Sequence, residues 1–178
     1  MTTEASPSEA QQPPKMYLII FNISKKNNVK ALIQTAAAFQ CAGILVVGQR
    51  TFDFSADSKD LPQSIKEHVR AELPPIQRFQ RWDECMEYLT EQKIRLVGVE
   101  IHQDAKPVDA FFDGVDTAFL MGNEGDGLNA KTMNCCDAFV RIPQYGGGTA
   151  SLNVYVAASI ILHRFHHWQR QVAAGVSS

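Results

Sequence analysis

A chain of 178 residues, 45% of them hydrophobic, is long enough for one domain with an undivided core. Acids slightly outnumber Lys and Arg, for a formal charge of −2, which argues against a bulk electrostatic grip on nucleic acid but leaves room for a local basic patch. No apolar run approaches the ~20 residues of a membrane-spanning helix, so a soluble chain with no membrane partner is expected.

Residues 1–15 (MTTEASPSEAQQPPK) are polar, carry no apolar period and read as a disordered tail. Glu4 and Glu9 oppose only Lys15, unlike an acid-poor mitochondrial leader, and a secretory leader would need an apolar stretch. The expected location is therefore the cytoplasm or the nucleus. From residue 16 onward, apolar runs of strand length alternate with helix-period segments. "MYLIIFN" (16–22) is a strand, followed by a helix over 27–40 and a strand "AGILVVG" (42–48). A helix over about 62–71, a weaker strand "IQRF" (76–79) and a helix over 81–92 follow. Three more strands, "RLVGVE" (95–100), "TAFLMG" (117–122) and "AFVRIP" (138–143), are interleaved with a helix over 128–136. The longest helical pattern, 149–169, sets Leu152, Val156, Ile160 and His163 on one face. Residues 171–178 read as a flexible end, leaving 16–170 as the domain.

Near-continuous apolarity within the strands marks a sheet covered by helices on both faces, and the alternation predicts an α/β fold with a mostly parallel sheet. In such sheets ligands bind beyond the carboxyl ends of the strands. Two glycine-rich segments start there: "LMGNEGDGLN" (120–129) and "QYGGGTAS" (144–151). Their convergence is the first functional signal.

Several chemistries do not fit. The glycines at 122, 125 and 127 miss the dinucleotide fingerprint, and no Gly-Lys-Ser/Thr triplet supplies a phosphate loop. "DFSADSKD" (53–60) begins like a calcium loop, but Ser58 stands where a glycine is needed and Ser64 where the closing Glu should be. His163 and His167 lie one helical turn apart without a third ligand, so no metal is expected. The four cysteines show no Cys-x-x-Cys, and adjacent Cys135 and Cys136 make a poor disulfide, so free thiols are expected. Read from the residues alone, the glycines supply turns and Glu124 caps a helix beginning near Leu128. Asn28 likewise caps the first helix, and Thr149 or Ser151 caps the last.

Three segments taken together carry a more specific signal. "NNVKALIQTAAAFQCAG" (27–43), "FLMGNEGDGLN" (119–129) and "IPQYGGGTASLNVYVAAS" (142–159) resemble, in order and spacing, the three motifs of the SpoU (TrmH-like) RNA ribose methyltransferases of the SPOUT class. The resemblance spans about residues 16–170. It implies an α/β domain whose C-terminal part forms a deep trefoil knot, an exception to the unknotted rule, and a homodimer with active sites at the interface. It also implies a bent S-adenosylmethionine held largely through backbone groups, which leaves as S-adenosylhomocysteine. The cofactor-binding residues it implies are Met121, Gly122, Asn123, Gly125, Ile142, Gln144, Gly146, Ser151, Leu152 and Asn153. Asn28 matches motif 1, Glu124 motif 2, and Ser151 and Asn153 motif 3. With Gln34 these form the implied catalytic set, in which Glu124 shapes the knot and dimer site instead of removing a proton. The implied reaction is 2′-O-ribose methylation of RNA, transfer RNA ahead of ribosomal RNA.

Two positions depart from the pattern. Gln34 stands where the family's motif 1 has an arginine, taken to help deprotonate the ribose hydroxyl. Glutamine cannot take a proton near neutral pH, though it can orient a hydroxyl. Tyr155 replaces a small residue. Three readings stay open: Arg141 or Lys30 substitutes, RNA phosphate or bulk water accepts the proton, or the chain binds RNA or cofactor without methylating. A non-nucleic-acid enzyme using the same pocket is a further alternative. RNA contact would rest on Lys25-Lys26-Lys30 or on the stretch from Arg164 to Trp168, which suits a dimer seam equally well.

Overall fold

The computed structural model describes residues 12–123, 127–146 and 151–174. In chain order these form β1 (Met16–Phe21), α1 (Lys26–Ala38), β2 (Gly43–Val47), α2 (Gln63–Arg70), β3 (Ile76–Phe79) and α3 (Trp82–Glu91). Then come β4 (Arg95–Val99), β5 (Lys106–Pro107), a 3-10 turn (Val108–Ala110), β6 (Thr117–Met121), α4 (Ala130–Met133), β7 (Ala138–Arg141) and α5 (Val154–Ala173). The seven strands form one sheet in the order β3-β2-β1-β6-β4-β7-β5, and every ladder is parallel.

Successive strand residues face opposite sides of a sheet, and here both sides are dry. Leu18, Ile20, Ile44, Val46, Val97, Phe119 and Met121 pack under α1, α2 and α5, meeting Val29, Leu32, Ile33, Ile65, Ala158, Ile161 and Phe165. Their neighbours Ile19, Leu45, Val47, Leu96, Ala118 and Leu120 face Trp82, Cys85 and Leu89 of α3. This is why the runs read as continuous apolar stretches. The register sets Leu18 beside both Ile44 and Phe119, so the two halves of the chain interlock at β1. On the first face α1 and α5 touch directly: Thr35 and Ser159 share a hydroxyl hydrogen bond of 3.2 Å, and Phe39 meets His163 edge-on at 5.7 Å.

The local signals for helix starts were less accurate. Asn28 is not a cap. Its own N–H and that of Val29 donate to the Lys25 carbonyl at 2.9 and 3.2 Å, so α1 begins earlier, with Asn28 buried in its first turn. Ser151 does not cap α5 either. That role falls to Asn153, whose Oδ1 accepts the Tyr155 N–H at 3.1 Å. The helix expected over 128–136 is a single turn, capped by Asn129 through the Thr132 N–H at 2.9 Å. Glu124, the cap expected for it, lies outside the described residues, as does Thr149. β5, a two-residue strand on the edge, has no periodicity to reveal it.

The calcium-like loop is closed on itself. Asp53 accepts the Ser55 N–H and hydroxyl, and Asp60 accepts the Asp53 N–H and the Lys26 ammonium. These bonds hold both carboxyl groups below the usual carboxylate range, the backbone N–H being the largest cause in each.

Candidate functional site

All strands being parallel, their carboxyl ends share one edge of the sheet, and the ends of β4, β6 and β7 are adjacent there. They surround a cavity of about 470 Å³. Val99, Glu100, Ile101 and His102 come from the end of β4, and Met121, Gly122 and Asn123 from the end of β6. Arg141, Ile142 and Gln144 follow from β7, and Ser151, Leu152 and Val154 come from the entry to α5. The volume lies within the range of small-molecule sites, roughly 300–1,000 Å³, and the wall combines apolar and polar surface in nearly equal measure.

The glycine loop has a defined closure. Asn123 and Gly127 exchange both backbone hydrogen bonds, at 3.0 and 3.2 Å, pinching the loop at its neck. A Cβ on Gly122 would lie 3.0 Å from the Gly127 Cα, and Gly127 has φ +66°, so the neck needs glycine at both places. The Glu100 carboxylate fills the space beside them: Oε2 accepts the Leu128 N–H at 3.1 Å and Oε1 the Ile101 N–H at 2.9 Å. Gly98 does similar work below, where a Cβ would stand 2.8 Å from the Phe139 ring and 2.9 Å from Leu128. Phe139 in turn backs the His102 imidazole, stacked at 4.6 Å. His102 Nδ1 accepts the Asp104 N–H at 3.2 Å, so in the neutral ring the proton sits on Nε2.

These elements match a known family. The SpoU rRNA Methylase family matches residues 15–163. The chain belongs to that family. Among its relatives, the 23S rRNA (guanosine-2′-O-)-methyltransferase RlmB of Vibrio parahaemolyticus is 30% identical over 153 residues, covering 86% of this chain and 59% of that protein. An uncharacterised tRNA/rRNA methyltransferase of Mycobacterium leprae is 28% identical over 151 residues, 84% of this chain and 46% of its own length. The chain thus spans about half the length of the curated relatives it matches. Among solved structures, the SpoU methyltransferase AviRb from Streptomyces viridochromogenes superposes with a TM-score of 0.72 at 26% identity, over 92% of this chain and 62% of that one. The same enzyme in complex with AdoMet gives 0.72 at 24% identity, over 91% and 63%.

Set against the SpoU motifs, the expected residues divide. Met121, Gly122, Asn123, Ile142, Gln144, Ser151 and Leu152 line the cavity. Gly146 and Asn153 do not, Asn153 being spent on the cap of α5. Glu124 and Gly125 lie outside the described residues. Asn28 is buried in α1, and Gln34, also on α1, donates to Ser64 Oγ at 3.3 Å; neither reaches the cavity of its own chain. Of the two candidate substitutes, Arg141 is on the cavity wall, its Nε donating to the Ala105 carbonyl at 3.3 Å, and Lys30 is not.

The candidate RNA surfaces are partly committed elsewhere. Lys26 pairs with Asp60 at 2.9 Å and Arg164 with Asp109 at 3.4 Å. Phe165 is core, and Trp168 packs against it and against Phe112. His163 and His167 stack at 6.5 Å, and among the described residues no group of three His, Cys, Asp or Glu side chains could hold a metal ion. Nor, among them, is any helix long and apolar enough to cross a membrane.

Glu100 and His102 were not singled out from the sequence. The signal available was "VEIHQD": an acid one residue past a parallel strand, at the edge where ligands bind.

Proposed function

We propose that the chain is an S-adenosylmethionine-dependent RNA 2′-O-ribose methyltransferase, active as a homodimer with a knotted C-terminal part. The observation that carries this reading is the convergence of motif 2 (Met121 to Asn123) and motif 3 (Ser151, Leu152) on one cavity of cofactor size. The family, the name of the Vibrio relative and the AdoMet complex of AviRb support it. The residues fit the cofactor: apolar Val99, Met121, Ile142 and Leu152 suit an adenine and a methionine chain, and the glycine neck lets backbone groups approach. When bound, the cofactor supplies an electrophilic methyl group on a positively charged sulfur.

The chain's own part is to orient the acceptor and stabilise its charge. Arg141 brings a permanent positive charge to the wall, where it can stabilise the alkoxide developing on a ribose oxygen. With no arginine at position 34, the proton passes to water or an RNA phosphate, and positioning supplies most of the rate. Gln34 bonds to Ser64 and does not line the cavity of its own chain, which favours a site shared between two copies. Ile101 (70% exposed) and Leu152 (36%) on the cavity rim, with Tyr145 (93%) and Tyr155 (37%) beside it, offer apolar surface for the second copy.

Transfer RNA is the first substrate to test and ribosomal RNA the second. The protein is incubated with methyl-labelled S-adenosylmethionine and each RNA pool, and the RNA is hydrolysed in alkali. Label in alkali-resistant dinucleotides identifies 2′-O-methylation. Cofactor binding with no label in either pool would favour a binder that does not methylate.

A further inference from the structure

Glu100 is the first residue past β4, and its N–H still donates to the Val140 carbonyl at 3.1 Å, so its backbone remains held in the sheet. Its carboxylate folds back onto the glycine neck, where each oxygen accepts one backbone N–H, from Ile101 and from Leu128. A carboxylate oxygen accepts about two hydrogen bonds, so each keeps an acceptor position. Among the described residues Glu100 makes no ion pair. The glycines keep side chains away from it: a Cβ on Gly122 would lie 3.2 Å from Oε2, and one on Gly127 would collide with that atom. Glu100, Gly122 and Gly127 all line the cavity.

We propose that Glu100 is a ligand-binding residue of this cavity, accepting hydrogen bonds from the two adjacent hydroxyls of the cofactor's ribose. The inference rests on reading the cavity as the S-adenosylmethionine site. A ligand covering an unpaired carboxylate must return the hydrogen bonds that water gave it. A vicinal diol does so with two O–H donors side by side, matched to two oxygens of one carboxylate, and such charge-assisted bonds are the strong kind. The sulfonium has no hydrogen to donate; the cofactor's ammonium does, and a ligand that keeps the ammonium but lacks a ribose hydroxyl tells the two partners apart. An acid just past the carboxyl end of a parallel strand, beside a glycine turn, is well placed to reach a ribose.

The test is calorimetric titration with S-adenosylmethionine, S-adenosylhomocysteine and the 2′-deoxyribose analogue of the latter, using the wild type, Glu100→Gln and Glu100→Ala. In the wild type, loss of the hydroxyl should weaken binding about tenfold or more. In Glu100→Ala the last two ligands should bind within about twofold of each other, since the missing hydroxyl has no charged partner left to lose. Glu100→Gln keeps an acceptor for only one of the two N–H groups, and should show an intermediate difference with a melting temperature between those of the wild type and Glu100→Ala, which guards against a misfolded Ala variant. An equal hydroxyl penalty in all three proteins would overturn the assignment while leaving the cofactor site intact. So would a loss in Glu100→Gln confined to S-adenosylmethionine, because the carboxylate would then be reading the sulfonium charge. Failure of the wild type to bind any of these ligands would overturn the cofactor reading itself, and Glu100's role with it.

Discussion

The Leu128 N–H donates to Glu100 Oε2 at 3.1 Å, joining the loop after β6 to the end of β4, the strand beside it in the sheet. The neck of the glycine loop is therefore held from two sides: by the Asn123–Gly127 pairing and by an acid from a neighbouring strand.

Gly127→Ala meets both obstacles at once, a φ of +66° and the Glu100 carboxylate. It should lower unfolding free energy by more than about 1 kcal/mol and weaken S-adenosylhomocysteine binding. Urea unfolding and calorimetry on the same preparation measure the two effects, and unchanged values in both would show that the neck does not shape the cavity.

Asn153→Ala removes the cap of α5 and should cost about 1 kcal/mol of stability. Asn153→Ser or Asn153→Asp should recover most of it, because either side chain can accept the Tyr155 N–H. Activity lost in Asn153→Ser despite recovered stability would give the side chain a role in the reaction beyond the cap.

How much could be read before the structure follows from these residues. The strands were legible because each is buried on both faces, as Leu18 and Ile19 show by packing under different helices. Helix starts were not, because Asn28 and Ser151 are good capping types whose places were taken by the Lys25 carbonyl and the Asn153 side chain. The convergence of the two loops was legible through their glycines, and the individual motif 2 and motif 3 residues on the cavity wall through the resemblance to the SpoU motifs. Glu100 was hidden: its partner Leu128 comes from a loop nearly thirty residues on, and only the sheet order, with β4 between β6 and β7, brings the two together.

Burial raises the thiols of Cys41, Cys85 and Cys136 from 9.0 to about 12, so each is protonated in the folded protein at neutral pH. Cys41 and Cys85, which are also buried, should resist a thiol reagent until the chain unfolds. The linkage has one sign: the unfolded chain gives up these protons first, so their stabilising contribution is complete below pH 9 and falls between pH 9 and about 12. A urea midpoint that holds constant across that window would contradict it.

If Gln34 is a loss and not a replacement, Gln34→Arg should raise the methylation rate, by up to about 10²-fold if the charge assists deprotonation. Light scattering should give twice the 19.8 kDa chain mass. A monomer would leave Gln34 with no cavity to act on, since it reaches none in its own chain.

Calorimetric titration with S-adenosylmethionine, beside S-adenosylhomocysteine, decides whether the cavity beyond β4, β6 and β7 is a cofactor site. Saturable binding at about one site per chain is expected, abolished by Gly122→Val, whose side chain would press on the Gly127 backbone 3.0 Å away. No heat from either ligand up to about millimolar concentration would contradict it and leave the SpoU fold of this chain as a scaffold.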